Sequence, residues 1–171
     1  MSEPTRAHLI GIAGSGMFPL ALLLNEAGFM VTGSDKRLNP ARKDILESKG
    51  ILSWETAQQP GHAWQAWDKL RVVASPAIAR HHPELRAARQ NACRIESRAM
   101  ALARLIAGRE TVCVAGSHGK STVTAMLIAI LNAARQDRFG YMIGAEDAAA
   151  LPARLGPDDG LFVTEACEAH G

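Results

Sequence analysis

Short apolar runs alternate along this chain with longer apolar or amphipathic segments, and glycine or proline marks most of the changes between them. Residues 7–12 form a short apolar run that reads as a strand. A glycine turn over 11–16 follows, then an apolar helix over 17–27 with Gly28 as its stop. Residues 29–33 read as a second strand ending on Ser34 and Asp35. Strand, glycine turn, helix and strand within about 30 residues make a βαβ unit. Residues 40–50 read as a surface helix whose Arg42, Lys43, Asp44, Glu47 and Lys49 form a solvated face, and 51–52 as a brief strand. Between 53 and 68 no period stands out, and Trp54, Trp64 and Trp67 read as cover for a core edge. Residues 70–74 read as a strand, 83–90 as a helix with proline in its first turn, and 93–95 as a short strand. A helix over 97–107, capped by Glu96 or Ser97 and ended by Gly108, completes this half.

The second half repeats the alternation. Residues 111–115 are apolar and β-branched and read as a buried parallel strand. After a glycine-containing turn, 123–134 are rich in Ala, Leu, Ile and Met and read as a largely buried helix. Residues 141–143 read as a short strand, 145–159 as loop, and 161–164 as a strong strand with Glu165 and Glu168 at its C-terminal end. The polar stretch Gly108, Arg109 and Glu110 marks a boundary. The fold class is therefore α/β: a Rossmann-like parallel-sheet domain over 1–108, then a second α/β unit over 109–171.

Composition narrows the function classes. Of 171 residues, 47% are apolar, enough for a core, and the formal charge of +2 is too small to argue for nucleic acid or an acidic membrane surface. Aromatic residues, at 5%, are too few and too far from basic clusters for a base-stacking platform. Cys93, Cys113 and Cys167 form no C-x-x-C pair and read as buried free thiols in a reducing compartment. No basic segment precedes a long apolar core, and no run is long enough to span a bilayer, so the expected location is cytoplasmic. His81 and His82 have no cysteine or carboxylate at ligand spacing and read as an exposed loop rather than a metal site.

Two turns carry candidate chemistry. The second is Gly116, Ser117, His118, Gly119, Lys120, Ser121 and Thr122, between a strand and a helix. Unpaired N–H groups and the helix dipole favour phosphate there. Lys120 adds a charge that reaches terminal phosphates, and Ser121 a hydroxyl that can ligate Mg²⁺. The spacing is G-x-x-G-K-S, two residues shorter than the general phosphate-loop pattern, whose first glycine would fall at Val114. An ordinary glycine turn with a solvated lysine shares the local pattern. Glu165 and Glu168 at a strand end can hold Mg²⁺ opposite the phosphates, or can be merely solvated. In the first turn Gly11, Gly14 and Gly16 are spaced G-x-x-G-x-G, and Pro19 stands where the third nicotinamide-fingerprint glycine would fall. That suits a diphosphate better than it matches the dinucleotide signature, although a purely structural turn has the same form. Asp35 can accept from a ribose or base donor, and Ser75 follows a strand C-terminus, where ligands sit in open α/β sheets.

The stretches HLIGIAGSGM (8–17), VTGSD (31–35), ASPAI (74–78), HPEL (82–85), AGSHGKST (115–122) and EACE (165–168) together resemble the Mur ligases, the ATP-dependent amide-forming enzymes of peptidoglycan synthesis. The short phosphate loop is that family's usual form. The likeness is greatest to members that join L-alanine to UDP-N-acetylmuramate, and next to those that add a whole peptide. It implies that Gly11, Ala13, Gly14, Ser15, Gly16, Met17 and Asp35, with Ser75 as a weaker candidate, bind the UDP-sugar. It implies that residues 116–122 bind ATP, that Ser121 and Glu165 hold Mg²⁺, and that Lys120 and Glu168 act at the reacting groups. Ala13, Ser117 and Ser121 depart mildly from the family pattern. The family has three domains, so the resemblance implies that 109–171 are an incomplete phosphate-loop ATPase domain and the chain a fragment or a truncated homologue, inactive alone without the missing domains or a partner chain. The competing class is a non-catalytic UDP-sugar or nucleotide-binding module. A nicotinamide oxidoreductase is disfavoured by the second phosphate loop.

Overall fold

The structure is a computed structural model that describes residues 6–55, 70–134, 138–144 and 151–166. Trp64, Trp67, Cys167 and Glu168 lie outside the described residues, as do the expectations attached to them. The first sheet contains β1 (Arg6–Ile10), β2 (Met30–Asp35), β3 (Leu52–Glu55), β4 (Leu70–Ala74) and β5 (Arg94–Ser97). Their order is β3-β2-β1-β4-β5, and every pairing is parallel. The chain therefore reverses its direction of winding between β1 and β4. In a doubly wound sheet the crevice beyond the strand C-termini at that point is where ligands bind. Leu9 and Ile10 on β1 are fully buried, as a central parallel strand covered on both faces requires.

Helices α1 (Met17–Glu26), α2 (Pro40–Ser48), α3 (Pro83–Gln90) and α4 (Arg98–Leu105) connect or follow these strands. Eight of the ten α1 residues, Met17 to Leu24, are buried. A helix this apolar needs cover all round. It gets it from the first sheet, from α4, and from the second sheet. Pro19 is tolerated because the first turn of a helix has no intrahelical use for its N–H. Asn39 caps α2 by accepting from Ala41 N–H (2.9 Å), and Ser97 caps α4 by accepting from Met100 N–H (3.2 Å).

The second sheet contains β6 (Thr111–Val114), β7 (Phe139–Met142), β8 (Ala153–Arg154) and β9 (Leu161–Glu165), in the order β6-β9-β7-β8. Helix α5 (Lys120–Ala133) follows β6. Three expectations fail here. First, β8 lies within the stretch read as loop and pairs antiparallel with β7, Met142 opposite Ala153. A two-residue strand beside Pro152 is too short to leave a period. Second, β6 is an edge strand with Val112 40% exposed, not a buried one. Third, α5 is largely uncovered on its outer side, with Met126 59% and Ile130 62% exposed. Periodicity reports apolar character, not the number of layers that cover it. The cysteine expectation fails with them: Cys113 is exposed on β6 and Cys93 is half-buried.

Candidate functional site

The first turn leaves β1 at the switch point. Gly11 has φ +85°, which favours glycine, and a Cβ there would meet Ser75 Cβ at 3.1 Å. Ser75 N–H donates to Ile10 C=O (3.1 Å), so the ends of β1 and β4 are joined at the mouth of the crevice. Gly11 and Ile12 N–H groups donate to Ser34 C=O (2.7 and 3.0 Å), which ties the turn to β2. Asp35 adds a second tie by accepting from Ala13 N–H at 2.8 Å. Its other oxygen accepts from Arg37 N–H at 3.4 Å. An ionised carboxylate has about four acceptor sites, so both ties leave capacity for a ligand donor. Gly14 C=O accepts from Met17 and Phe18 N–H as α1 begins. The structure thus brings Gly11, Ala13, Gly14, Ser15, Gly16, Met17, Asp35 and Ser75 to one edge of the first sheet.

The second glycine turn leaves β6 in the same sense. Gly116 (φ +152°) and Gly119 (φ +75°) take backbone conformations that favour glycine, and Gly119 stands at the N-cap of α5. Lys120 Nζ donates to Gly116 C=O across the loop, and Ser117 and His118 share a side-chain hydrogen bond at 3.3 Å. Ser121 is half-buried in the first turn of α5, and Thr122 is exposed. β9 lies beside β6 in register, Val114 opposite Glu165, and Ala166 N–H donates to Val114 C=O (2.8 Å). Glu165 therefore stands at the strand end next to the loop. One of its oxygens accepts from Gly144 N–H at 3.2 Å. Among the described residues no cluster of three or more His, Cys, Asp or Glu could hold a metal ion by itself. A Mg²⁺ ion here would need a nucleotide's phosphates beside Ser121 and Glu165, which is how that ion is usually held.

Three side chains escaped the sequence reading. Arg42 leaves the face read as solvated and donates to Ala13 C=O, with its guanidinium 5.3 Å from the Phe18 ring centroid. Glu84 is buried on α3 and accepts from the Ser34 hydroxyl. Arg98, the first residue of α4, lies against Gly16. The missed signal for Arg98 was its place directly after a strand, on the edge where the other strand ends converge. Arg42 and Glu84 gave no such signal, because their partners are distant backbone and a distant strand.

Two sheets, each with a glycine turn leading from a strand into a helix, define the class: an α/β protein with two strand–turn–helix units. The chain belongs to the Mur ligase family, whose catalytic-domain family matches residues 6–110. A curated relative, the UDP-N-acetylmuramate–L-alanine ligase of Kineococcus radiotolerans, is 39% identical over 97% of this chain and 35% of its own length. A murein peptide ligase from Psychrobacter arcticus superposes with a TM-score of 0.84 at 30% identity, over 96% of this chain and 38% of the other. The UDP-N-acetylmuramate–alanine ligase of Thermotoga maritima superposes with a TM-score of 0.79 at 24% identity, over 94% of this chain and 37% of the other, a likeness of fold alone. The chain spans about a third of the length of the curated relatives it matches (35% and 33% for two of them). Among the described residues no helix is long and apolar enough to cross a membrane.

Proposed function

We propose that this chain supplies the sugar-nucleotide and phosphate-loop parts of an ATP-dependent ligase joining L-alanine to the carboxylate of UDP-N-acetylmuramate. In this reading residues 1–108 are the UDP-sugar domain and 109–171 begin the ATP domain, in the cytoplasm. The observation that carries it is the pairing of β6 with β9, which sets Glu165 beside the turn that holds Lys120 and Ser121. The 39% identity to an L-alanine ligase supports the choice of amino acid. A peptide-adding ligase is the second reading, favoured by the higher structural similarity to the murein peptide ligase.

The chemistry follows from charge. A carboxylate oxygen attacks the γ-phosphorus of ATP, ADP leaves, and an acyl phosphate forms. The amine then attacks the acyl carbon and phosphate leaves. The N–H groups of the loop and the Lys120 ammonium face the phosphates and offset charge that builds during transfer. Mg²⁺ on Ser121 and Glu165 would neutralise the β- and γ-phosphates. Asp35 and the first turn hold the uridine diphosphate end.

Two-ligand titration tests the reading. The chain binds Mg-ATP and UDP-N-acetylmuramate at separate sites, each at a stoichiometry unchanged by saturation with the other. Lys120→Ala weakens the ATP site and leaves the sugar-nucleotide site intact. Mutual displacement of the two ligands, or failure to bind either, would contradict it.

A further inference from the structure

We infer that Arg98 is an additional binding residue of the first turn, and that its guanidinium takes the diphosphate of the sugar nucleotide. The inference rests on the UDP-sugar reading and deepens it by naming the side chain that meets the charge. Arg98 is placed, not loose. It is the first residue of α4, whose N-terminus is fixed by the Ser97 cap at the end of β5. From there its half-buried side chain reaches across the C-terminal edge of the first sheet to the N-terminus of α1. A Cβ on Gly16 would fall inside the Arg98 guanidinium, overlapping Nη1, Cζ and Nε. Glycine at 16 is therefore what lets the cation lie directly on the turn.

This arrangement converges positive charge. The N-terminus of α1 carries partial positive charge, and its first turn holds no acid. The N–H groups of Ser15 and Gly16 make no backbone hydrogen bond among the described residues, whose neighbours Gly14, Met17 and Phe18 all donate. Arg98 has no hydrogen-bond or ion-pair partner among the described residues. The nearby carboxylates are engaged elsewhere: Glu96 pairs with Arg104, and Asp35 accepts from Ala13 N–H on the β2 side of the turn. A guanidinium fork beside two N–H groups without a backbone acceptor suits an anion with several oxygens, and the fork geometry matches such an anion in a bidentate way. A diphosphate satisfies this, and so does a sugar carboxylate. We favour the diphosphate because the turn at the switch point is where backbone approaches phosphate in this kind of sheet.

The test uses the full 171-residue chain and three probes: uridine, UDP and UDP-N-acetylmuramate, titrated by calorimetry or NMR. Arg98→Ala should weaken UDP and UDP-N-acetylmuramate alike, by roughly ten- to a hundred-fold, as expected for a charge-assisted contact. Uridine affinity should stay within about two-fold and the melting temperature should not move, because the contact is to phosphate. Arg98→Lys should recover part of the loss, keeping charge without the fork. Equal loss for uridine and UDP, no loss for UDP, or a loss confined to the carboxylate-bearing ligand would each overturn the assignment. If the unsubstituted chain binds neither UDP nor UDP-N-acetylmuramate, the UDP-sugar reading itself fails and Arg98 falls with it.

Discussion

Glu84 shows how a buried side chain reaches the candidate site through the residue it holds. It accepts from the Ser34 hydroxyl, and Ser34 C=O in turn holds Gly11 and Ile12 N–H. His8 Nε2 lies 3.7 Å from the same carboxylate and His82 Nδ1 4.0 Å. His8 is itself fixed by the Thr32 hydroxyl (2.9 Å) and by stacking on Trp54 at 5.2 Å. Burial pushes the Glu84 carboxyl up, but the adjacent His8 imidazole, the hydrogen bond from Ser34 and the His82 imidazole outweigh it, so the group is held below its ordinary value. The sign follows. A carboxyl with a lower pKa when folded stabilises the fold above the ordinary carboxylate range and loses that contribution as pH falls through the folded value. Denaturant unfolding should therefore show stability dropping below about pH 4.5. Glu84→Gln should flatten that drop and cost about 1–3 kcal/mol at neutral pH. An unchanged acid slope in the variant would contradict the network. None of this was legible in the sequence. Ser34 and Glu84 are fifty positions apart, and only the sheet topology brings them together. Asp35 was legible, because an acid after the second strand of a βαβ unit has a fixed place.

At the scale of elements, α1 and α5 have similar apolar sequences and opposite surroundings. α1 is sandwiched between layers, whereas α5 covers one side of β9 and leaves Val123, Met126 and Ile130 exposed. Truncation should register the difference. Phe162→Ala on β9, where the ring is fully buried, should cost about 3–5 kcal/mol. Ile130→Ala should stay within about 0.5 kcal/mol. Comparable losses by chemical denaturation would mean that α5 is covered. Close approach also decides Gly33 on β2, where a Cβ would overlap Ile12 Cδ1 at 2.4 Å and Leu9 C=O at 2.8 Å. Gly33→Ala should destabilise by about 1–3 kcal/mol through overpacking. Strands and helices bounded by glycine or proline were readable to within a few residues, and Leu70–Ala74 and Pro83–Gln90 coincide with their expected limits. β8 was not readable, since its place comes from pairing with β7 rather than from any local pattern.

Over the whole molecule the two sheets share one core. Met142, Ala153 and Phe162 belong to the same buried cluster as the α1 leucines. Glu26 at the end of α1 accepts from Leu155 N–H at 2.6 Å. Buried Arg109 donates to Leu155 C=O (2.6 Å) and Pro157 C=O (3.0 Å) and pairs with Asp158. A continuous core of this kind should melt in one cooperative transition, and two resolved transitions in calorimetry would contradict it. Shared packing does not complete an active site. Holding carboxylate, γ-phosphate and amine in line can be worth about 7–11 kcal/mol, and the relatives use a chain about three times as long (the match covers 35% of one). The chain alone should release no L-alanine-dependent phosphate, and turnover abolished by Lys120→Ala would contradict this.

Calorimetric titration decides whether the turn at the β1–β4 crevice takes a UDP-sugar. The chain should bind UDP-N-acetylmuramate more tightly than NAD, and Gly14→Val, which crowds Gly11 C=O at 3.2 Å, should abolish that binding. Tighter binding of NAD, or binding of UDP-N-acetylmuramate indifferent to Gly14→Val, would contradict it.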